Sequence, residues 1–287
     1  MQIKYINNNY LVSVITPTYG RPAKLIKALE SVSNQKYQNL EHIIVDDNGL
    51  NTPNQLKTAK IISKFAKNNI IYKTLKVNSG ACIARNKAII CAQGRYVTFL
   101  DDDDEMPPLY LETFIKNIHY LKNKKSPLSF LFIPYHYSLL AKSLIGIDQI
   151  LYRNFIGNSI FIERFKLDRI SFDSSLPSAQ DYDLWIRLIK EYGPAKSIRG
   201  SAIKLNKIGH RISNGAKVSK GYKAIIDKYS HIMKKKHIIS QVLSIDIALN
   251  TIKVTKLYKY GLTLTLLRAI KFLVIKTFSA RLFRKIY

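Results

Sequence analysis

Hydrophobic positions along the first hundred residues switch repeatedly between two periods. LVSVIT (11–16) is a short apolar run rich in β-branched residues and predicts a strand. The chain turns at PTYG, Pro22 stands where the first residue of a helix belongs, and Leu25, Ala28, Leu29 and Val32 follow at helical spacing. LEHIIVDD (40–47) predicts a second strand that ends on carboxylates, and Thr52-Pro53 reads as N-cap and first residue of a helix reaching about Lys67. NIIYKTL (69–75) predicts a third strand, SGACIARNKAIICAQG a helix stopped by Gly94, and RYVTFL (95–100) a fourth, wholly apolar strand. This alternation implies an open, mainly parallel sheet with helices on both faces, in which ligands bind beyond the carboxyl ends of the strands.

After Pro127 the pattern is less regular. Strands are expected in LSFLFIPY (128–135) and NSIFIE (158–163). PSAQDYDLWIRLIKEYG predicts a helix with Ser178 as N-cap and Gly193-Pro194 as its stop. Beyond Asn214 the chain reads as mostly helical and strongly basic, with 15 Lys+Arg from Lys220 to Tyr287 against Asp227 and Asp246. No internal repeat or low-complexity linker interrupts it.

Composition narrows the class. A chain of 287 residues with 47% hydrophobic content can bury a sizeable core, so disorder is excluded. Net charge +27 demands an anionic partner: nucleic acid, a membrane surface or an anionic substrate. Cys82 and Cys91 fall nine apart in one expected helix, about 13 Å along its axis, too far for a disulfide. A reduced, cytoplasmic setting follows. The N-terminus lacks the pattern of a signal peptide, and no run of 18 uncharged apolar residues predicts a transmembrane helix.

The candidate chemistry lies in the carboxylates. Asp101 to Asp104 follow directly on an apolar strand at the ligand-binding rim, although like charges side by side repel. Hard cations such as Mg²⁺ and Mn²⁺ take carboxylate oxygens together with water and substrate phosphates, so this run is a metal-site candidate over a solvated loop. Asp46 and Asp47 end a second strand on the same rim. Before NG they could be simple turn residues, but paired with the other cluster they suit a nucleotide contact. TPTYGRP matches neither G-x-G-x-x-G nor a P-loop, which disfavours nicotinamide enzymes and P-loop NTPases. Asp181 and Asp183 open a helix, where the macrodipole alone would favour acids, and Trp185 would dock that helix on the core. His210-Arg211 could clamp a leaving phosphate or lie in an ordinary exposed loop.

Taken together, residues 11 to about 215 resemble a family-2 inverting glycosyltransferase of the GT-A fold. VSVITPTYGRP, SVSNQKYQNLEHIIVDDNG, NSGACIARNKAIICAQGRYVTFLDDDDEMPP and QDYDLWIRL match its segments in order. The resemblance implies an α/β fold: a GT-A-type open, mainly parallel twisted sheet flanked by helices, with a basic, mostly helical C-terminal extension. It implies a catalytic domain over 1–215, with 1–105 binding the nucleotide-sugar and 106–215 holding acceptor and catalytic groups, followed by a basic region over 216–287. Pro17, Thr18, Tyr19 and Arg21 would line the nucleotide pocket, Asp47 contact the base and Arg85 lie near the nucleotide. Asp101 and Asp102 would lie nearer the ribose, Asp103 would bind Mn²⁺ or Mg²⁺, and His210 would sit near the metal and diphosphate. Asp181 would be the general base. Gly20 replaces the usual Asn, DDNG replaces D-D-G-S, and Gln180 replaces the first acid of the E-D motif.

The implied reaction is a single inverting displacement from a nucleotide diphosphate donor, commonly a UDP-sugar, to a hydroxyl of a glycan or lipid-linked saccharide, as in bacterial polysaccharide or lipopolysaccharide synthesis. The tail 260–287, apolar but punctuated by Arg and Lys, suits either a helix in an anionic membrane interface or a helix packed on the domain. The first option places the enzyme peripherally on the inner face of the cytoplasmic membrane. A nucleic-acid-binding protein is the rival that charge alone suggests, but no such motif occurs and the acidic rim would repel phosphates. A sugar nucleotidyltransferase would carry a glycine-rich N-terminal loop, and an inactive homologue would not keep both Asp103 and Asp181.

Overall fold

A computed structural model describes residues 9–65, 69–122, 127–134, 143–206, 215–252 and 270. In chain order they form β1 (Val12–Thr18), α1 (Pro22–Ser33), β2 (Leu40–Asp46), α2 (Pro53–Ser63), β3 (Ile70–Thr74), α3 (Ala81–Cys91), β4 (Tyr96–Phe99), α4 (Tyr110–Asn117), β5 (Leu131–Phe132), β6 (Leu144–Ile145), α5 (Ile147–Tyr152), β7 (Ile160–Glu163), α6 (Arg164–Arg169), α7 (Gln180–Tyr192), β8 (Ala195–Ser197), α8 (Gly215–Tyr229) and α9 (Lys235–Leu249). The strands make one mostly parallel sheet in the order β3-β2-β1-β4-β7-β5-β8-β6. β1 pairs in parallel with both β2 and β4, and β2 with β3, whereas β7 joins β4 antiparallel.

This topology decides where the polar ends fall. Thr18 stands opposite Asp46 and Ile15 opposite Phe99, so the segments that follow β1, β2 and β4 leave the sheet at one rim. Chain order reverses between β2-β1 and β4, the place where open α/β sheets hold ligands. Every residue of β2 and β4 is buried, and α1 lays Leu25, Ala28, Leu29 and Val32 on the core. An aromatic stack carries the packing on: Phe161 lies against Tyr96 at 4.9 Å and against Phe114 at 5.0 Å. Each such ring contributes about 1.5–3 kcal/mol by burial.

Four local expectations need correction. The helix after Thr52 ends at Ser63, short of Lys67, although Thr52 caps it by accepting from the Gln55 N–H at 3.2 Å. Of the strand expected over 128–135, only Leu131–Phe132 is formed among the described residues; Ile133 still donates to Ser159 O in the same register, but Pro134 offers no N–H to carry the ladder on. Gly94 does not cap α3, which ends at Cys91 with Ala92 extended. It permits a close approach to β1: a Cβ there would lie 2.4 Å from Ser13 Oγ and 2.6 Å from Ser13 N. Ser178 is not the residue before α7; Ala179 is, in the left-handed region at φ 59°, while Ser178 Oγ–H donates to Lys217 O at 2.8 Å.

The chain divides into two compact units, one of residues 1–147, 155–174 and 181–209, the other of 148–154, 175–180 and 210–287. In the second, α8 and α9 approach so closely that a Cβ on Gly215 would lie 2.1 Å from Ala248 O. Buried His237 and exposed Lys236 both reach Asp148, at 3.1 and 2.6 Å. No described helix is long and apolar enough to cross a membrane. Of the tail 260–287, only Ile270 is among the described residues.

Candidate active site

Two acidic clusters stand at the rim, Asp46–Asp47 after β2 and Asp101–Asp104 after β4. Asp46 is fully buried and is used structurally, accepting from Tyr72 Oη at 2.6 Å and from Asn48 N and Nδ2 at 2.9 and 2.7 Å. Asp47 is bound by the segment that leads into α3, accepting from Asn78 Nδ2 (2.9 Å), Ser79 N (2.7 Å) and Gly80 N (2.8 Å). Gly80 sits at φ 90°, a backbone state that only glycine adopts without strain. Burial raises the Asp47 pKa, and the two N–H donors oppose that shift. Two departures from the family pattern meet here: Gly20 N–H donates to Asn48 Oδ1 at 2.7 Å, tying the β1 turn to the β2 turn.

The aspartate run divides into alternating environments. Asp102 and Asp104 turn inward and are 1% and 6% exposed, while Asp101 and Asp103 are partly exposed. Asp102 accepts from Thr18 Oγ1 at 2.8 Å and Tyr19 N at 3.3 Å and pairs with Arg21. Burial pushes its pKa up to about 6, and that of Asp104 up to about 7. Asp104 also accepts from Asn206 N at 3.1 Å. Asp103 meets Arg21 Nη1 at 2.5 Å, with Lys24 Nζ at 3.9 Å. Arg21 Nε is buried without a partner among the described residues. Pro17 is partly exposed at the end of β1, and the Tyr19 side chain is 49% exposed above it.

Arg85 on α3 connects this cluster to a third acid. Its Nη2 donates to Asp101 Oδ1 at 2.7 Å, and Asn158 Nδ2 donates to Asp101 Oδ2 at 3.2 Å. The same guanidinium acts electrostatically on Asp181 at the start of α7. Burial raises the pKa of Asp181, while the Tyr182 N–H and Arg85 pull it down and Asp101 adds to the rise. The opening of α7 is held by Trp185, 1% exposed and 5.1 Å from Phe130 between ring centres.

Thr18, Tyr19, Arg21, Asp102 and Asp103 therefore form one bonded cluster and Arg85 with Asp101 a second, adjacent to it along the chain. Asp181 is coupled to Arg85 and Asp101 electrostatically, and Asp47 sits beside the Asn48 turn. His210 lies outside the described residues. Among the described residues no group of three or more His, Cys, Asp or Glu side chains is arranged as a metal cage. The partly exposed oxygens of Asp101 and Asp103 still fit Mg²⁺ or Mn²⁺, which take one or two carboxylates and complete their shell with water and phosphate. Asn158 is not visible in the sequence, since it is 57 positions from Asp101 and carries no local motif. The turn role of Asp46 is one of the two readings of DDNG, and only its bond from Tyr72 comes from a distant segment.

Fold and site define the class, a GT-A-type glycosyltransferase. Residues 13–123 match the family model described as Glycosyl transferase family 2. The chain is 33% identical over 249 residues to the Escherichia coli (strain K12) protein provisionally named colanic acid biosynthesis glycosyl transferase WcaA, covering 80% of this chain and 86% of that one. It is 27% identical over 237 residues to the Escherichia coli UDP-Glc:alpha-D-GlcNAc-diphosphoundecaprenol beta-1,3-glucosyltransferase WfaP, covering 78% of this chain and 86% of the other. The mannosyltransferase PcManGT of Pyrobaculum calidifontis, solved with GDP-Man and Mn²⁺, superposes with a TM-score of 0.60 at 16% identity, covering 94% of this chain and 79% of that one. The chain belongs to glycosyl transferase family 2.

Proposed function

We propose that this glycosyltransferase moves a hexosyl or N-acetylhexosaminyl group from a UDP-sugar to a hydroxyl of a lipid-linked saccharide or glycan, with inversion, in the synthesis of a bacterial surface polysaccharide. One observation carries the reading: Arg85 pairs with the donor-side carboxylate Asp101 and its charge also acts on the partly exposed Asp181, so a donor pole and a base feel one cation. The relatives WcaA and WfaP support the pathway class, and WfaP supports both the uridine donor and the lipid-linked acceptor.

Thr18, Tyr19 and Asp47 would border the nucleotide, with Asp101 and Asp102 nearer the ribose. The unpartnered Nε of Arg21 offers a donor to the diphosphate. Asp103, with His210 as a second candidate ligand, would hold Mn²⁺ or Mg²⁺, which when bound supplies positive charge at the leaving diphosphate. Asp181 takes the proton of the acceptor hydroxyl as its oxygen bonds to the anomeric carbon. The bond from that carbon to the diphosphate oxygen breaks, and UDP leaves with the electron pair. A raised pKa makes Asp181 the stronger base, and the Arg85 charge opposes that rise. One displacement turns an α-linked donor into a β-glycoside without a covalent enzyme intermediate.

The reading includes the division at residue 215, with the basic region beyond it resting on the inner face of the cytoplasmic membrane. Lys217, Lys220, Lys223, Lys234, Lys235 and Lys236 are all exposed and support that placement. Calorimetric titration with UDP, with and without Mn²⁺, beside Asp103→Ala, tests the donor site. Metal-dependent binding that the variant loses is the expected result. Failure of UDP and every other nucleoside diphosphate to bind would overturn the assignment.

A further inference from the structure

Ser171 and Phe172 follow α6 on the way to α7, and two distant side chains grip this dipeptide by its backbone. From α3, Asn86 makes both bonds of a backbone partner: Nδ2–H donates to Phe172 O at 2.9 Å, and Oδ1 accepts from Phe172 N–H at 2.9 Å. From α7, Arg187 Nη2–H donates to Ser171 O at 2.7 Å. Its Nε–H donates at 2.8 Å to Asp183, whose side chain is fully buried. The Phe172 ring meets Phe99 edge-on at 5.3 Å, and Arg85 lies 5.5 Å from its centre.

Each grip adjoins a group of the proposed chemistry. Asn86 is the residue after Arg85, and Asp183 is two residues past Asp181. Phe99 ends the strand that delivers Asp101. The dipeptide is thus tied at once to the helix that carries Arg85, to the strand that presents the aspartates and to the helix that opens with Asp181.

We propose that Ser171–Phe172 is a clamp, with Asn86 and Arg187 as positioning residues, that fixes Asp181 relative to the donor carboxylates. The inference rests on Asp181 being the base. A misplacement of about 1 Å between reacting groups costs on the order of 100-fold in rate, so the clamp acts on turnover and leaves donor binding alone.

The test compares full-length wild type, Asn86→Ala, Arg187→Lys, their double variant and Asp181→Asn. Arg187→Lys keeps a charge beside Asp183 and drops the second donor, which makes it the milder probe should Asn86→Ala not fold. Sugar transfer is normalised to Mn²⁺-dependent UDP sites per chain, and thermal melting is followed in parallel. Asn86→Ala is expected to lower kcat about 10- to 100-fold while UDP affinity stays within about twofold. The double variant is expected to lose less than the product of the single losses, because both side chains hold one dipeptide. Wild-type kcat per UDP site in Asn86→Ala and Arg187→Lys, or a fall in UDP affinity in step with kcat, would overturn the clamp. Loss of activity in Asp181→Asn beside full activity in Asn86→Ala overturns the clamp alone. Full activity in Asp181→Asn overturns the base assignment and the clamp together.

Discussion

Replacing Arg85 with Met keeps the length of the side chain and removes the cation shared by Asp101 and Asp181. The Arg85 side chain is 16% exposed and that of Asp101 30%, so the pair at 2.7 Å is only partly screened. Removing one partner of a buried charge pair costs about 2–5 kcal/mol, much of it from the charge left behind. Residual exposure reduces that to roughly 1.5–3 kcal/mol, or about 10- to 150-fold in kcat/KM. The pH profile carries a second, signed consequence. The base must be ionised, so kcat/KM falls as pH falls through the Asp181 pKa, and the Arg85 charge holds that pKa down. Arg85→Met therefore moves the acid limb to higher pH, and Arg85→Lys moves it less. Initial-rate measurements across pH at fixed ionic strength read both effects. An acid limb that stays in place or moves to lower pH in Arg85→Met would refute the coupling of Arg85 to Asp181, whatever the loss in rate.

Three further outcomes follow from packing and burial. His42 is 1% exposed with Nε2 2.9 Å from Thr16 Oγ1, and burial lowers its pKa from 6.5 to about 3. Between those values the unfolded chain takes up a proton that the folded protein does not, so stability drops as pH falls by up to about 1.4 kcal/mol per unit. Urea melts of wild type and His42→Gln at pH 7 and 5 should differ in slope by that term; parallel slopes would refute it. Trp185 Nε1 is buried without a partner among the described residues, so Trp185→Phe loses ring contact but removes an unmet donor and should cost about 1 kcal/mol or less, against about 3–5 for Trp185→Ala. Equal melting temperatures for the Ala and Phe variants would contradict this. Gly94→Ala should destabilise by about 2 kcal/mol or more, because the new methyl meets the Ser13 backbone; a shift in thermal melting below about 2 °C would show that β1 yields.

Much of the nucleotide half was legible from periodicity and turn chemistry. The strands at 12–18, 40–46, 70–74 and 96–99 and the Thr52 cap lie within a few residues of their expected places, because each is set by local alternation, a Pro or a capping oxygen. The rim position of Asp101 to Asp104 was legible too, since parallel strands joined by helices must all end at one edge. Gly94 was misread for an instructive reason. A glycine after a helix looks like a C-terminal cap, yet this one is required by a strand 81 residues away in sequence, whose Ser13 accepts its N–H.

By itself, then, the sequence determined the order of strands and helices as far as β4, the edge on which the acids gather and the excess of positive charge, all properties of neighbouring residues or of simple sums. Only the tertiary structure decided which aspartates turn inward, that Arg85 pairs with Asp101 and acts electrostatically on Asp181, that Gly20 bonds Asn48, and that Asn86 and Arg187 grip the same two residues. Those couplings join residues about 16 to 96 positions apart. Their partners are set by sheet order and core packing, neither of which leaves a periodic signal along the chain.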